Sequence, residues 1–167
     1  MPNANNFIPD VDGFEEVTPA LMDLVNSYPG LPEGEKFKFT TTEPGEGLSI
    51  FCVSGSYIQE SHESILGHVW QNCLYPFMVV YQAGGLNQRR KIQIKEWLDA
   101  FGKWLTKQPV KIGDQTVTLN EWPKLTGGRK IRDITRTSPA YLGSINDDKI
   151  ETWLMNLQIM YRNEFDR

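Results

Sequence analysis

The stretch "VVYQAGGLNQRRKIQIKEWL", residues 79–98, contains the clearest change of local structure in this chain. An apolar run rich in β-branched and aromatic residues ends at Gly84-Gly85, and an amphipathic pattern opens after Asn87. The first part is typical of a buried strand and the second of a helix. The stretch therefore predicts a strand, a glycine turn and a helix that starts with Arg89, Arg90 and Lys91.

The predicted helix carries one apolar face. Beyond Asn87, a fair N-cap, apolar residues recur at i, i+3, i+4, i+7 and i+11, namely Ile94, Trp97, Leu98, Phe101 and Leu105. Gly102 costs a helix about 1 kcal/mol relative to alanine, so we expect a neighbour to pack closely there. Another helix is predicted from Thr18, as N-cap with Pro19 at the first helical position, to about Tyr28.

Several segments alternate as strands do. "KFKFTTT" (36–42) and "GLSIFCV" (47–53) flank Pro44-Gly45 and predict a β-hairpin or a neighbouring strand pair. "HVWQNCLYPFMVVYQ" (68–82) predicts a strand with an edge position or a bulge near Pro76, because proline cannot donate to a ladder. Alternation between residues 152 and 162 predicts the clearest strand of all. Weaker patterns predict strands at 54–61 and 115–119, a loop at 121–130, and an extended or irregular segment at 130–145.

Together these elements predict an α+β fold: a single domain over residues 15–167, with a mostly antiparallel sheet of about four strands flanked by two helices. Residues 1–14, rich in Asn and Pro, are predicted to be a flexible N-terminal arm. The length of 167 residues fits one domain.

Composition favours a soluble protein inside a cell. No apolar run approaches the roughly 20 residues of a membrane span, and the N-terminus lacks the pattern of a signal peptide. Cys52 and Cys73 both lie in apolar surroundings, which predicts two buried free thiols and a reducing compartment.

Charge is unevenly distributed along the chain. Residues 1–46 contain nine acidic and two basic residues, a net charge of -7, whereas residues 84–136 contain twelve basic and five acidic residues, a net charge of +7. The two regions could pair between copies of the chain, pair within one copy, or form separate solvated patches. The overall charge of -4 argues against duplex DNA as the main partner.

No motif predicts catalysis, a cofactor or a metal. "AGGLNQRR" lacks the GxxxxGK[ST] spacing of a phosphate-binding loop, although the helix start after Gly84-Gly85 could still hold an anion. His62, His68 and Cys73 could be drawn as metal ligands, but their spacing matches no structural zinc motif. Ser56 is not in a GxSxG elbow, and the acidic pairs Asp147-Asp148 and Glu15-Glu16 are typical of surface positions.

Five tryptophans divide into two groups. Trp97, Trp104 and Trp153 fit predicted core faces. Trp70 and Trp122 lie near a strand start and in a predicted loop, where aromatic residues serve either as core or as interface anchors.

Two longer segments resemble known proteins. "YPFMVVYQAGGLNQRRKIQIKEWLDAFGKWLTKQPV" (75–110) and "SPAYLGSINDDKIETWLMNLQIMYRNEF" (138–165) are similar to the tail terminator, or minor capsid, proteins of long-tailed bacteriophages. The order of elements matches over residues 17 to 165, although these families have no fixed chemical motif.

The resemblance implies a structural virion protein without enzymatic activity. Such a protein caps the tail tube with a ring, usually of six copies, and offers a docking surface to the neck and head-completion proteins; a sheath is a further partner where one exists. A head-tail connector or neck protein is the alternative, and a nucleotide- or anion-binding enzyme domain using Gly84-Gly85 is the alternative from another class. By this analogy, contact surfaces are expected at Arg89, Arg90 and Lys91 and at Arg129, Lys130 and Arg132.

Overall fold

The computed structural model describes residues 14–40, 46–85, 87–127 and 129–167, and within them the chain forms two helices and nine strands. Seven strands make one mixed, mostly antiparallel sheet, and two make a separate hairpin. The elements are α1 (Phe14–Asn26), β1 (Phe37–Phe39), β2 (Gly47–Cys52), β3 (Tyr57–Glu63), β4 (His68–Ala83), α2 (Gln88–Leu105), β5 (Val110–Ile112), β6 (Gln115–Val117), β7 (Lys130–Arg136), β8 (Tyr141–Ile145) and β9 (Glu151–Asp166). The α+β class and the two helices are confirmed.

The predicted count of about four strands is wrong, because the main sheet has seven. Two of the strands with weak or ambiguous sequence patterns are β3 and β8, and every residue of both is exposed. A strand that buries neither face has no reason to alternate apolar and polar residues, so its pattern carries little signal. Residues 1–13 of the predicted flexible arm lie outside the described residues, and Phe14 begins α1.

The centre of the sheet is the antiparallel pair of β4 and β9. Both strands have 16 residues, and they pair from His68 opposite Asp166 to Ala83 opposite Glu151 without a register shift. One face of this pair carries buried residues such as Tyr75, Phe77 and Met155. The sheet therefore has one face in the hydrophobic core and one face of mixed, half-buried residues.

Of the two alternatives predicted from Pro76, an edge position is wrong, since β4 is paired on both sides, and the β4–β9 ladder has no bulge at Pro76. On one side of β4, β2 ends opposite Phe77 and β3 begins opposite Leu74. Pro76 faces the gap between them, where its carbonyl accepts a hydrogen bond from the Val53 amide at 3.3 Å. A missing N–H is tolerated there because no ladder partner requires it.

β1 and β2 pair in parallel, with Phe37 opposite Leu48, so the predicted hairpin is wrong and the neighbouring strand pair is right. Residues 41–45 of the predicted turn lie outside the described residues. A parallel pair requires the connection to return to the same end of the sheet, which a two-residue hairpin turn cannot do.

α1 starts at Phe14 rather than after Thr18, which corrects the predicted cap. The Thr18 hydroxyl instead forms a 2.7 Å hydrogen bond with the Tyr75 hydroxyl, tying the helix to β4. Pro19 lies inside the helix, not at its first position. The apolar face of α1 packs into the same core as β4 and β9 through Val17, Leu21 and Val25.

α2 matches its prediction closely. Asn87 caps it by accepting the Arg90 amide at 2.9 Å, and four of the five predicted apolar residues are buried, while Trp97 is half-buried. Its aromatic side chains form a cluster with Tyr28 and Phe37, in which the rings of Trp97 and Phe101 stack with centroids 5.5 Å apart. This cluster joins α2 and the segment that follows α1 to β1.

Gly102 allows α2 to approach the sheet, as expected. A Cβ at this position would lie 2.6 Å from Arg136 Cδ and 2.8 Å from Met155 Sδ, well inside contact distance. The absence of a side chain at Gly102 therefore sets the distance between α2 and β9.

Gly102→Ala should destabilise the fold by about 1 kcal/mol, because overpacking costs roughly 1–3 kcal/mol and exceeds the gain of about 1 kcal/mol in helix propensity. Urea unfolding measures the effect. Gln93→Ala, at an exposed site of α2, is the control and should change stability by less than about 0.5 kcal/mol. A stabilised Gly102→Ala variant would show that the contact is not close.

Asp99 links α2 to β7. Its carboxylate accepts hydrogen bonds from Lys95 at 2.8 Å and from Arg136 at 3.2 Å. Burial alone would raise the pKa of Asp99, but the hydrogen bond from Lys95, the charges of Lys95 and Arg136 and a backbone hydrogen bond with Ala140 together lower it below its ordinary 3.8. The carboxylate form therefore stabilises the folded chain.

The stabilisation by Asp99 should be present above the ordinary pKa of an aspartate and should be lost as the pH falls through the lowered one, because the unfolded chain takes up the proton first. Asp99→Asn should lower the free energy of unfolding at pH 7 and reduce its decline below about pH 4. Unfolding curves over this range measure both. Asp114→Asn, at an exposed position in the turn between β5 and β6, is the control; equal effects of the two changes would contradict the assignment.

Candidate protein-interaction surfaces

The start of α2 presents two exposed arginines. Arg89 and Arg90 are exposed, whereas the ammonium of Lys91 lies 2.8 Å from the carboxylate of Glu151, a residue whose side chain is only 4% exposed. Lys91 thus neutralises a buried acid and fastens the helix to the start of β9. Arg89 and Arg90 remain at a helix N-terminus, where the dipole disfavours positive charge.

The predicted anion site beside these arginines contains carboxylates. Arg90 and Gly84 line a hollow of about 170 Å³ together with Glu35 and Glu46, and Arg90 donates a 3.4 Å hydrogen bond to the Tyr81 hydroxyl. Gly85 has a φ of 64°, as a tight turn requires. Two carboxylates in the same hollow oppose the binding of a phosphate, so this geometry favours the turn over the anion site.

The second predicted cluster divides between the interior and the surface. The Arg129 side chain is 11% exposed; its guanidinium lies 3.3 Å from the Glu16 carboxylate and donates to Asn163 at 3.0 Å. Lys130 and Arg132, on β7, are exposed. Glu16 and Arg129 come from the acidic and basic regions of the sequence, so these regions pair at least once within one chain.

The two basic clusters lie at opposite ends of the sheet. Lys91 contacts Glu151 at the first residue of β9, while Lys130 pairs with Arg162. The eleven-residue span between Glu151 and Arg162 corresponds to roughly 36 Å at 3.3 Å per residue. The structure therefore presents two separate basic surfaces, not one continuous patch.

A pocket beside Lys130 was not foreseen from the sequence. It has a volume of about 560 Å³ and is walled by Trp122, Pro123, Leu125 and Ile131. The Trp122 indole donates to the Leu105 carbonyl at 2.9 Å, and the Lys107 ammonium lies 3.8 Å from the centre of its ring. We call this the Trp122 pocket. Its walls come from segments that the sequence shows only as a loop and an ambiguous strand.

The turn between β3 and β4 presents a second surface that the sequence analysis missed. Ile65 and Leu66 are adjacent, and both side chains are fully exposed, with relative exposures of 104% and 94%. The turn closes with a 3.0 Å hydrogen bond from the Gly67 amide to the Ser64 carbonyl. Polar residues are usual in the middle of such turns. The apolar pair in "SILG" is therefore unusual, and the exposed surface could have been predicted from it. We call Ile65 and Leu66 the hairpin tip.

His62, His68 and Cys73, considered above as metal ligands, contact other groups in the structure. The His62 ring stacks on Trp70 with centroids 4.1 Å apart, and its Nε2 lies 2.7 Å from Glu60. His68 Nδ1 lies 2.8 Å from Asp166, and Cys73 is buried in the core. Across the described part of the chain, no group of three or more His, Cys, Asp or Glu side chains is arranged to hold a metal. Both cysteines are free thiols; Cys52 is half-buried beside the Tyr75 hydroxyl, so its expected burial is only partial.

Comparisons with known proteins leave the family open. No protein family matches the sequence, and no curated protein does. Eleven chains of solved structures match. One of them is 16% identical over 88% of this chain and 91% of its own length, with a TM-score of 0.37. None of the helices in the described ranges is both long and apolar enough to cross a membrane.

Reversing the exposed charge at the start of α2 should separate folding from assembly. Arg89→Glu with Arg90→Glu should change stability by only about 0.5 kcal/mol per site, since both residues are exposed, while weakening association with an acidic protein surface. Unfolding curves and sedimentation at low and high salt measure the two effects. Lys103→Glu with Lys111→Glu, at exposed sites away from the start of α2, is the control. If the double variant failed to fold, these arginines would be required for folding and the interface assignment would be wrong.

Proposed function

We propose that this chain is a structural virion protein, a tail terminator that caps the tail tube of a long-tailed bacteriophage as a ring. The resemblance of residues 75–110 and 138–165 supports the class of protein. One structural observation carries the proposal: surfaces suited to protein contact lie at both ends of a single rigid strand pair. The exposed Arg89 and Arg90 occupy one end, and the hairpin tip with Lys130 and Arg132 occupies the other.

A ring subunit needs such an arrangement. Each copy contacts two neighbours through different surfaces, and the ring as a whole contacts the tube below and the neck above. The long β4–β9 pair holds the two ends at a fixed separation, so contacts at one end do not compete with those at the other. In this proposal the partners are further copies of the chain (a hexamer by resemblance), the tail tube protein, the neck or head-completion proteins and, in a contractile tail, the sheath.

The basic surfaces have an assigned role in this proposal. Positive charge at a helix N-terminus is unfavourable in isolation. Glu35 and Glu46 lie in the same hollow as Arg90, and in this proposal Arg89 and the exposed part of Arg90 face an acidic surface on a partner. Lys130 and Arg132 form a second contact of the same kind. The protein acts in the host cytoplasm during assembly and then at the upper end of the virion tail, and its role involves no catalysis.

Electron microscopy of particles from a producing strain that lacks this gene tests the function. Tails of uncontrolled length, or headless tails with ragged upper ends, are the expected result, because an uncapped tube has no defined end to which a head can attach. Filled heads beside tails of normal length would assign the protein to the head side of the joint, as a connector or neck protein. Normal particles would contradict a virion role altogether.

The alternative from a different class has its own assay. Binding of a nucleotide or a divalent metal at Gly84-Gly85 would raise the melting temperature by mass action. We expect no shift with ATP, since Glu35 and Glu46 line the hollow at Gly84. We expect none with magnesium or zinc, since no group of three or more His, Cys, Asp or Glu side chains in the described residues is arranged to hold a metal. A rise of several degrees with any of them would contradict the structural role.

A further inference from the structure

We propose that the hairpin tip of one copy, Ile65 and Leu66, inserts into the Trp122 pocket of the next copy and forms the contact between subunits. This inference rests on the proposed ring assembly and specifies the surfaces that build it. It follows from the shape, polarity and charge of two surfaces that the sequence analysis did not identify.

The hairpin tip has the character of an anchor that is not engaged within its own chain. Two adjacent, branched apolar side chains extend fully into solvent at the end of the sheet. The turn that carries them is held on one side by β4 and on the other by the chain end, where the Arg167 amide donates to the Gly67 carbonyl at 2.9 Å. An anchor fixed in this way loses little conformational freedom when it is buried.

The Trp122 pocket has a complementary character. Its volume of about 560 Å³ falls within the range of ligand pockets. Four of its ten lining residues are aromatic or aliphatic, and the other six are polar or charged. Trp122 is held in place by its hydrogen bond to Leu105 and by the Lys107 ammonium above it, so the wall is already formed. Aromatic residues in preformed pockets are characteristic of the energetic centre of protein interfaces.

The charges around the two surfaces are opposite. The residues that line the pocket include four basic residues and one acidic residue, a net charge of +3, which becomes +2 when the Glu16 partner of Arg129 is counted. Around the hairpin tip, residues 60–68 and 162–167 contain four acidic and two basic residues, a net charge of -2 with neutral histidines. The acidic residues are Glu60, Glu63, Glu164 and Asp166, and the basic ones are Arg162 and Arg167. An apolar anchor with an acidic surround matches an apolar pocket with a basic rim.

The charge and shape match assigns the pocket to the tip of a second copy, since the tip of the same chain lies at a distance along the sheet. Gly67 lies beside Arg167 at the end of β9, whereas the pocket wall at Ile131 pairs with Tyr161. Six residues of a regular strand separate these positions, roughly 20 Å, and four residues, roughly 13 Å, separate Arg167 from Asn163, which contacts Arg129 at the nearer rim. The ladder of β3, β4 and β9 fixes the tip at the end of the sheet. Each copy can therefore give its tip to one neighbour and receive another, the head-to-tail contact that generates rings.

Disulfide cross-linking between separately purified copies tests the contact. In a Cys52→Ser background, which leaves only the buried Cys73, one protein carries Leu66→Cys and a differently tagged protein carries Lys124→Cys. Lys124 is exposed on the pocket rim. Mixing them under mild oxidation should give a covalent pair containing one of each. Ile145→Cys, at an exposed apolar site at the opposite end of the sheet, replaces Leu66→Cys in the control and should give at least tenfold less.

Other cross-linking results would overturn the inference. A predominant Leu66→Cys pair with itself would mean a symmetric tip-to-tip contact. In a further protein that carries both Leu66→Cys and Lys124→Cys, a cross-link formed within a single chain at high dilution would mean that the tip folds back. No cross-link at protein concentrations up to about 1 mM, where even a Kd of about 1 mM would give substantial occupancy, would mean that the surfaces do not meet.

Complementation separates this inference from the proposed function. Ile65→Asp with Leu66→Asp alters only exposed side chains, so its unfolding curve should match that of the parent chain. Supplied to the deletion strain, it should fail to restore normal tails, while Ile145→Asp should restore them. Restoration by the tip variant would overturn the tip contact and leave the terminator function standing. Normal particles from the deletion strain would instead contradict the proposed function itself.

Discussion

The antiparallel pairing of β4 with β9 is the interaction on which the rest of this structure depends. Sixteen residues of each strand face one another in a single register, and every other strand of the main sheet except β1 pairs directly with one of the two. Because side chains alternate with a period of two, this register decides at once which residues enter the core. A slip of β4 by one residue against β9 would turn Tyr75 and Phe77 out of the core and turn Pro76 and Met78 into it. The length of the pair also sets the distance between the two ends that we assign to protein contacts.

Two local sequence features make this central pair compatible with its neighbours. Pro76 coincides with the point where β2 gives way to β3, so one side of β4 exchanges partners where a donor is missing. Gly102 lets α2 lie against Met155 and Arg136 on the other strands. Lys91 then fixes the start of the same helix to the buried Glu151, because an unpaired buried carboxylate would be costly. Contacts near both ends of α2 thus fix its position on the sheet. The backbone that carries Arg89 and Arg90 is fixed with it.

Elements that bury one face were easier to predict from the sequence than elements that bury neither face. α2 and β9 were predicted accurately, because one face of each is buried and the residue pattern records it. β3 and β8 bury neither face, and β1 pairs in parallel through a connection that hairpin chemistry does not describe. For the candidate surfaces, closeness in sequence did not predict which basic residues are exposed. Lys91 and Arg129 belong to basic runs, yet each is paired with an acid of its own chain, and only Arg89, Arg90, Lys130 and Arg132 are exposed. The Trp122 pocket joins residues 107, 120–125 and 129–131, which no local pattern connects.

Magnitudes explain why a contact of this kind suits a ring. Burying one isoleucine and one leucine contributes roughly 1.5–3 kcal/mol each, or about 3–6 kcal/mol together. Association alone costs an estimated 4–15 kcal/mol in lost translational and rotational freedom, so a single tip in a single pocket gives at best a weak pair. A closed ring changes the balance, because the last subunit to enter makes two contacts while losing its freedom only once. Under the proposed ring assembly, the same chain would stay dispersed at low concentration and would assemble cooperatively on a template that gathers several copies, such as the end of a tube.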